Sequence, residues 1–409
     1  MSRLLLLIPI ASYRTRDFIE AAARLDVEVV IGTDQEQVLA DAAGGVAQAI
    51  DFDDPAAGAA QIAALARERP FDAIVAVDDG AAAVAARAAA ALGLPHNPPA
   101  AIDNARNKHR FRQRLAEAGL PSPEFRLVGL GDDPGRIARE VPYPCVLKPL
   151  TLAMSRGVIR ADGGNSFVVA FHRVAAIIAR PDARTPGEAA DHLLIESYIP
   201  GTEYAVEGLI LDGVLHVLAV FDKPEPLEGP YFEETIYVTP ADIDEDRAAA
   251  IAGAAQDAVA AIGLADGPTH IDLRVNDDGV FILEADARSI GGHCGRALRF
   301  AGGARLEDLI LRHAAGLPID SLEREDGAGG VMMIPIPATG TLAETRGIEA
   351  ALATDGVDDV SITIPPGERI EELPEGGRYL GFIIAHAPSR EAVIAALNEA
   401  HGKLEFVIA

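Results

Sequence analysis

The chain has 409 residues and a mass of 42.8 kDa, more than a single hydrophobic core usually serves, so two or three domains are expected. Hydrophobic residues make up 49% and charged residues 24%, a globular balance that disfavours a disordered, collagen-like or coiled-coil chain. A net charge of −27 repels phosphate backbones and anionic lipid, so neither nucleic acid nor a membrane surface is expected as a partner. Two cysteines, Cys145 and Cys294, are too few for a disulfide framework or a zinc cluster, and we expect a cytoplasmic protein.

Residues 1–100 alternate apolar strands with amphipathic helices, which predicts a doubly wound domain with a parallel sheet. Pro9 and the charges after it favour a buried first strand over a signal peptide. The first strand-to-helix turn lacks the Gly-x-Gly-x-x-Gly pattern of a dinucleotide site, which counts against an NAD-dependent oxidoreductase. The predicted strands are 3–10, 27–31 and 73–77, and the predicted helices are 15–24, 35–43, 59–69 and 80–92.

The remaining chain divides into a larger domain at 101–320 and a small α/β cap at 321–409. The larger one is predicted to combine β-rich stretches with long helices, and a hairpin turns at Asn276–Gly279. Its predicted elements are helices 104–118, 166–180 and 243–262, β-rich stretches 125–160 and 193–221, and strands 270–275 and 280–285. In the cap, strands are predicted at 331–336, 359–364 and 379–385, and helices at 345–353 and 389–400.

Lysine is scarce in this chain: Lys108, Lys148, Lys223 and Lys403 are the four lysines among 35 basic residues. A chain that uses arginine for nearly every cation should keep lysine where a compact ammonium is needed. Lys148 ends an apolar strand, where a lone charge is costly unless an anion meets it. Phosphate binding is predicted for Lys148 and Lys108. The alternatives are an edge-strand Lys148 that reaches solvent and a Lys108 on a solvated basic helix face.

A turn at Ser155, Arg156 and Gly157 follows that strand, and such a turn can present backbone N–H groups to phosphate oxygens. Glu196 and Glu203 flank a Pro-Gly bend between two strands. They are suited to accept hydrogen bonds from a donor-rich ligand such as adenosine, or they are exposed hairpin charges. The patterns of P-loop enzymes, zinc peptidases and α/β-hydrolases are absent from the sequence.

A cluster of acids lies on the predicted hairpin. Asp272 follows His270 at a spacing of two, and Glu284, Asp286 and Arg288 follow at the same spacing on the next strand, so these side chains share one face. Three carboxylates on one face repel each other unless a hard cation neutralises them, and Mg²⁺ shared with substrate phosphates meets that demand. The alternative is a solvent-facing strand pair with ordinary surface charges.

The order of these motifs resembles that of the ATP-grasp superfamily, and within it the L-amino acid ligases and related carboxylate–amine ligases, with a biotin carboxylase-like architecture. The resemblance spans nearly the whole chain. It implies an N-terminal domain at 1–100, a grasp domain at 101–320 with a lid at about 142–202, and the cap at 321–409. The motifs that carry it are Lys108, Leu147-Lys148-Pro149, Ser155-Arg-Gly-Val158, Glu196, Gly201-x-Glu203, His270-x-Asp272 and Glu284-x-Asp286-x-Arg288.

The resemblance also implies a role for each position. ATP and Mg²⁺, or Mn²⁺ in its place, are the implied cofactors, and Asp286 stands where the family commonly has Asn. The implied nucleotide contacts are Lys108, Lys148, Ser155, Arg156, Gly157, Glu196, Ser197, Tyr198, Ile199 and Glu203. The implied metal ligands are Asp272, Glu284 and Asp286, and the implied catalytic residues are Arg288, His270 and Lys148. The implied substrate residues are Lys223, Glu233, Glu234, Gly291, Gly292 and His293.

The chemistry implied is the joining of a small-molecule carboxylate to an amine through an acyl phosphate, with an amino acid as substrate. Lys223, Glu233 and Glu234 have a plain alternative as surface loop charges. A biotin carboxylase-type enzyme, a purine-pathway enzyme and a non-catalytic nucleotide-binding regulator are the alternative functions. A homodimer is a further expectation, because two-fold dimers are the commonest oligomers.

Overall fold

The computed structural model describes residues 2–35, 47–183 and 185–409. Most of the helix predicted at 35–43 lies outside these residues. Within the described ranges, no helix combines the length and apolar character that crossing a membrane requires. The predicted fold class is confirmed: the chain is a mixed α/β protein with a parallel sheet in its N-terminal part.

The N-terminal sheet forms around a buried central strand. Its elements are β1 (Arg3–Leu7), α1 (Thr15–Arg24), β2 (Glu28–Thr33), β3 (Ala47–Ala49), α2 (Pro55–Glu68), β4 (Ala73–Ala76) and α3 (Asp79–Leu92). The strand order is β3-β2-β1-β4, all parallel. Alternate β1 side chains point to opposite faces: Leu5 packs with Ile62 of α2, whereas Leu6 packs with Phe18 of α1. The apolar alternation read from the sequence therefore encodes a two-sided core.

The helix predicted at 104–118 is two helices, α4 (Pro99–Arg106) and α5 (Lys108–Glu117). Asn107 between them has extended backbone angles, and its side chain accepts hydrogen bonds from the N–H groups of His109 and Arg110. This side-chain cap ends one helix and starts the next. The break was missed because both helices are polar enough to be read as one amphipathic run.

A separate four-stranded antiparallel sheet, the lid sheet, has the order β5-β8-β6-β7. Helix α7 covers one face of it, with Phe167, Phe171 and Val174 buried against Leu147 and Ile195. Its elements are β5 (Phe125–Gly129), α6 (Pro134–Ile137), β6 (Cys145–Pro149), β7 (Ile159–Ala161), α7 (Gly164–Ile178), α8 (Glu188–Asp191) and β8 (His192–Ser197).

The central sheet has eight strands and crosses the predicted boundary at residue 320. Its elements up to that point are β9 (Thr202–Leu211), β10 (Val214–Asp222), β11 (Ile236–Thr239), α9 (Glu245–Ile262), β12 (Gly267–Asn276), β13 (Gly279–Asp286) and α10 (Leu306–Ala314). Beyond it follow β14 (Ala328–Ile334), β15 (Gly340–Arg346), α11 (Ile348–Leu352), β16 (Val357–Ile362), β17 (Arg369–Ile370), β18 (Gly381–Ala387), α12 (Arg390–His401) and β19 (Glu405–Ile408).

The strand order is β13-β12-β9-β10-β11-β14-β18-β16, and β11 pairs directly with β14. The C-terminal region therefore extends the central sheet and shares its hydrophobic core. Residues 340–346 form a strand where the sequence predicted the start of a helix at 345, and α11 is only Ile348–Leu352. The predicted helix at 345–353 was too long, because β15, the middle strand of a separate sheet with the order β17-β15-β19, is half polar and lacks a clear period.

Phe382 tests this shared core, because it is 2% exposed and belongs to the same apolar cluster as Leu4 and Phe18. Replacing Phe382 with Ala should lower the free energy of unfolding by about 3–5 kcal/mol through lost burial and a cavity. Leu352→Ala, at a side chain 46% exposed, should change it by less than about 0.5 kcal/mol. Urea unfolding followed by circular dichroism measures both. Equal small effects would contradict a core shared between the two ends of the chain.

Candidate active site

A cleft of about 730 Å³ lies between the lid sheet and the central sheet. Both sheets and the turn after β6 contribute its walls. Most residues predicted to contact a nucleotide line it, together with two of the predicted metal ligands: Lys108, Lys148, Ser155, Glu196, Ser197, Tyr198, Ile199, Glu203, Asp272 and Glu284. Residues from distant parts of the chain are thus brought to one concave surface.

A second cavity, of about 1140 Å³, adjoins the cleft. Met154, Glu234, Asp272 and Glu284 line both spaces, so the two meet at these carboxylates. The predicted residues His270, Asp286, Arg288, Gly291 and Gly292 line the second cavity. Its remaining wall includes the apolar and aromatic side chains of Tyr13, Tyr237, Ile290, Met333 and Tyr379. A ligand in the cleft and a ligand in this cavity would face each other across the carboxylates.

Glu196 and Lys148 belong to a buried ion triad with Arg112. Arg112 has no exposed surface; its Nε donates to Glu196 Oε1 at 2.7 Å, and its other N–H groups donate to the carbonyls of Ile282 and Leu283 at 3.0 and 2.7 Å. Lys148 Nζ lies 2.6 Å from Glu196 Oε2. Burial by itself would raise the pKa of Glu196, but the two cations hold it at about 2. Both surface alternatives, an exposed Glu196 and a solvated Lys148, are therefore wrong.

The triad also changes what the Glu196 side chain can do. Its carboxylate is engaged by two cations and is 3% exposed, so it joins the lid strand β8 to helix α5 through Arg112 and to the lid strand β6 through Lys148. The backbone from Glu196 to Ile199 remains part of the cleft wall. A contact with a nucleotide base is therefore expected from this backbone rather than from the carboxylate.

Lys108 starts helix α5 and is held at three points. Its N–H donates to Leu150 O at 2.9 Å, and its Nζ donates to Leu152 O at 3.1 Å and lies 3.0 Å from Glu284 Oε2. Burial would lower the pKa of Lys108, but Glu284 raises it above its ordinary value. The side chain is 15% exposed, so the alternative of a solvated basic face is wrong for Lys108.

The acidic hairpin brings the predicted residues together, with a register shift between Asp272 and Leu273 that a regular hairpin would lack. Asp272 pairs with Glu284 and His270 with Asp286 across β12 and β13. His270 Nε2 lies 3.2 Å from Asp272 Oδ2. Burial opposes ionisation of Asp272, yet Lys223 and His270 lower its pKa well below the ordinary value, whereas burial raises the pKa of Asp286 to about 7. His270 and Asp272 are buried, Asp286 and Glu284 are partly buried, and all four line the second cavity, so the alternative of ordinary surface charges is wrong. The carboxylate oxygens fit the ligand preference of Mg²⁺.

Lys223 lies inside a second set of carboxylates. Its Nζ is 2.7 Å from Glu203, 2.5 Å from Glu234 and 2.8 Å from Asp272. One oxygen of each acid lies within 4.8 Å of the others, a spacing that suits a bound cation. Arg274 Nε donates to the second oxygen of Glu203 at 2.8 Å. Lys223 is 7% exposed, so its alternative as a surface loop charge is wrong. It was predicted to contact substrate, but its ammonium lines neither space.

Arg288 connects the acidic hairpin to the N-terminal domain. Its Nη2 lies 2.7 Å from Asp286 Oδ2, and its Nε donates to Asp79 Oδ2 at 2.8 Å, at the start of α3. Burial would lower the pKa of Arg288, but the two acids raise it well above the ordinary value. A charged guanidinium therefore lies permanently at the wall of the second cavity.

The glycines after Arg288 are fixed by packing. The Gly292 N–H donates to the Tyr13 hydroxyl at 2.6 Å. Gly292 has φ of 60°, and a Cβ there would lie 2.5 Å from Met333 Sδ, so only glycine fits. His293 points away from both spaces: its Nδ1 is 3.3 Å from Asp17, and its ring lies 4.6 Å from that of Tyr13. His293 was predicted to contact substrate, but it lines neither space, and its contacts with Asp17 and Tyr13 hold its ring in the domain interface.

Three other predicted residues lie outside the cleft walls. Arg156 Nε donates to Glu375 O at 2.9 Å, and the Gly157 N–H donates to Pro374 O at 2.9 Å, so this half of the turn faces the C-terminal region. Ser155 alone of the predicted turn lines the cleft. Glu233 lines neither space. The adjacent Glu234 lines both, so the alternative that Glu234 is a surface loop charge is wrong. Neighbouring residues on a turn or extended segment point in different directions, which the sequence could not resolve.

Several residues that build the site were missed. No role in the site was predicted for Arg112, Asp79 or Tyr13. Glu207, buried on β9, accepts the Ile290 N–H at 2.8 Å, and burial raises its pKa to about 8. A charged residue with apolar neighbours at helical spacing was the available signal for Arg112. None existed for Asp79, whose partner lies 209 residues away.

Comparison with known proteins agrees with this architecture. Residues 19–96 match the ATP-grasp N-terminal domain, residues 141–297 the ATP-grasp domain, and residues 332–409 the L-amino acid ligase C-terminal domain 2. The chain therefore contains a region that matches an ATP-grasp domain, between regions that match an ATP-grasp N-terminal domain and an L-amino acid ligase C-terminal domain. The chain is similar in structure to an L-amino acid ligase from Bacillus licheniformis, with a TM-score of 0.85 and 26% identity over 100% of this chain and 99% of the other.

Curated relatives are similar over part of their length. A protein of Sinorhizobium fredii with no assigned activity is 26% identical over 78% of this chain and 64% of its own. The alanine–anticapsin ligase of Bacillus subtilis is 29% identical over 61% of this chain and 55% of its own. The chain thus spans less than two thirds of the length of these relatives.

The triad predicts a specific pH dependence of stability. Because the folded pKa of Glu196 is about 2, below its ordinary 4.5, its contribution is present above pH 4.5 and is lost as the pH falls towards 2. Linkage puts this loss at about 3 kcal/mol. The free energy of unfolding of Glu196→Gln should therefore be lower than that of the natural protein above pH 5, and this difference should become smaller below pH 4.5. Urea unfolding from pH 3 to 7 measures it, with Glu405→Gln at a 65% exposed side chain as the control. A difference in free energy of unfolding that stays constant with pH would contradict the lowered pKa of Glu196.

Proposed function

We propose that this chain is an ATP-dependent carboxylate–amine ligase that forms an amide or peptide bond, releases ADP and phosphate, and takes an amino acid as a substrate. The observation that carries the proposal is the meeting of the two spaces at Asp272 and Glu284. Lysines line the first space and an arginine lines the second, so an anion bound in each can react where they join. Similarity to an L-amino acid ligase over the whole chain supports the same chemistry.

The first space is proposed to bind ATP. The backbone at Glu196–Ile199 faces the base, Glu203 the ribose, and Lys108 and Lys148 the phosphates. Both ammonium groups line the cleft and are largely buried, so phosphate oxygens would compete with Glu284 and Glu196 for them. A pocket whose cations already have protein anions can bind ATP without leaving isolated buried charges when it is empty.

Mg²⁺ would be held by Asp272, Glu284 and Asp286, where it would neutralise phosphate charge. Mn²⁺ has the same preference for oxygen ligands. The protein groups then have two tasks: to orient the γ-phosphoryl group towards the substrate carboxylate, and to stabilise the charge that develops. Orientation and electrostatic stabilisation are the main contributions of a protein to phosphoryl transfer.

The second space is proposed to bind the carboxylate and the amine. A carboxylate oxygen attacks the γ-phosphorus and ADP leaves; the amine then attacks the acyl carbon, and phosphate leaves with the acyl-oxygen bond pair. Arg288 lies at the wall to hold the transferred phosphoryl group, and Glu234 faces both spaces to accept an ammonium. His270 is adjacent to Asp272, where its positive form would stabilise the negative charge of the tetrahedral intermediate.

The other ATP-grasp activities have less support. Biotin carboxylases and carboxyaminoimidazole ribonucleotide synthetases are similar at 14–19% identity, which shows the fold alone. A non-catalytic regulator would have no need for Arg288 and three acids at the junction. We retain a cytoplasmic location and a homodimer as parts of the proposal, from the low cysteine content and from the frequency of two-fold dimers.

The deciding experiment measures ADP and phosphate release with MgATP across the twenty L-amino acids, singly and in pairs, with mass spectrometry of the products. Release that depends on a pair and gives a dehydrated product is the expected result. Tight MgATP binding without release would redirect the search to other acids, including biotin and bicarbonate. Absence of ATP binding would overturn the proposal.

Lys148→Ala tests the phosphate contact. Removing a group that stabilises transition-state charge should lower kcat/KM for ATP at least ~100-fold. Lys403→Ala is the matched control, because that lysine contacts Thr354 and Glu399 outside both spaces. Steady-state ADP release measures both variants. A Lys148→Ala enzyme within about threefold of the control would exclude this phosphate site.

Glu234→Gln tests the acceptor side. Loss of a charged partner for an ammonium should raise the KM of the amine substrate about tenfold or more, with a smaller change in the KM of ATP. Glu233→Gln should have the smaller effect of the two, because Glu233 lines neither space. Amide formation at varied amine concentration gives both constants. The reverse order would assign the amine contact to Glu233.

A further inference from the structure

The loop at 371–377 of the C-terminal region contacts the lid directly behind the turn after β6. The carbonyl of Pro374 accepts the Gly157 N–H at 2.9 Å, and the carbonyl of Glu375 accepts Arg156 Nε at 2.9 Å. Gly377 lies against the Arg156 side chain. The outer half of the turn is therefore fixed from outside the lid, while Ser155 on its inner half faces the cleft.

Two side-chain contacts join the same loop to helix α7 and the residues after it. Arg173 binds Glu375 through two parallel bonds, from Nε at 2.6 Å and from Nη2 at 2.7 Å. Arg180 Nη2 donates to Glu371 at 2.7 Å. Paired bonds of this kind fix orientation as well as distance. The Arg173 and Glu375 side chains are 35% and 32% exposed, so the pair is accessible enough to break and re-form.

Arg173 also holds the segment that leads to Glu234. It donates to the Tyr231 hydroxyl, and Tyr231 forms a bridge with Ile159 in β7. The Arg160 N–H donates to Pro230 O at 2.9 Å. One guanidinium thus contacts both the C-terminal loop and the segment before Glu234, which lines both spaces.

We propose that Arg173 and Glu375 are positioning residues that hold the lid closed over the nucleotide and couple this closure to the acceptor cavity. The pairs Arg173–Glu375 and Arg180–Glu371, with the two backbone contacts to residues 156 and 157, are called the latch. Closure of the latch sets the turn after β6 against the cleft and fixes Tyr231. The catalytic part of this inference rests on the proposed ligase function, whereas the structural part does not.

Glu375→Gln is the test variant, because it removes charge while keeping size. Loss of the latch should raise the KM of ATP about 5- to 10-fold, the scale of one partly exposed bidentate pair, with little change in kcat. It should also raise the phosphate released per amide formed, since an open lid admits water. Glu368→Gln is the control: Glu368 pairs with Arg378 in the same region, and the pair does not touch the lid. An unchanged KM of ATP together with an unchanged ratio of phosphate released to amide formed would overturn the catalytic part of the proposal.

Hydrogen–deuterium exchange tests the latch without any turnover. In Glu375→Gln the amides of Gly157 and Arg160, which donate to Pro374 and Pro230, should exchange at least about fivefold faster than in the natural protein and in Glu368→Gln. Added MgADP should reduce this difference. Faster exchange in a chain that ligates nothing would support the latch and reject the ligase proposal. Unchanged exchange would overturn the latch whatever the activity.

Discussion

The mutual neutralisation of buried charges is the constraint on which this structure depends. Five acids surround the junction of the two spaces, in a chain that already carries a net charge of −27. An unpaired buried charge costs several kcal/mol, so each acid needs a cation within bonding distance. Lys223 serves Glu203, Glu234 and Asp272, while Lys108 serves Glu284 and Arg288 serves Asp286. Three of the four lysines lie here or in the adjoining cleft.

These cations also connect the parts of the chain. Arg288 bonds Asp79 of the N-terminal domain, and Arg112 joins a helix, a lid strand and the acidic hairpin through Glu196 and two carbonyls. The pairing of β11 with β14 carries the central sheet into the C-terminal region, whose loop at 371–377 returns to the lid. Lid, hairpin and C-terminal region are therefore parts of one electrostatic and hydrogen-bonded unit around the cleft.

Much of the fold was predictable because it follows local periodicity. The alternation in β1 and the turn at Asn276–Gly279 specified a parallel sheet and a hairpin, whereas a register shift between Asp272 and Leu273 decides that Asp272 lies opposite Glu284. The break at Asn107 was not predictable from periodicity, since a single capping side chain decides it. The same holds for β15, the middle strand of a small three-stranded sheet, which has few apolar residues.

The sequence by itself determined which residue types serve the site, because a spacing of two puts side chains on one strand face and because lysine is rare enough to mark its positions. Only the tertiary structure decided which way each side chain points. Arg156 and His293 point away from the cleft, towards Glu375 and Asp17, and Arg112 points towards Glu196 beside the cleft. Each of these side chains points towards its polar partner, because a buried or half-buried polar group is stabilised only when a partner lies within bonding distance. Those partners come from distant parts of the chain, so the sequence alone did not reveal them.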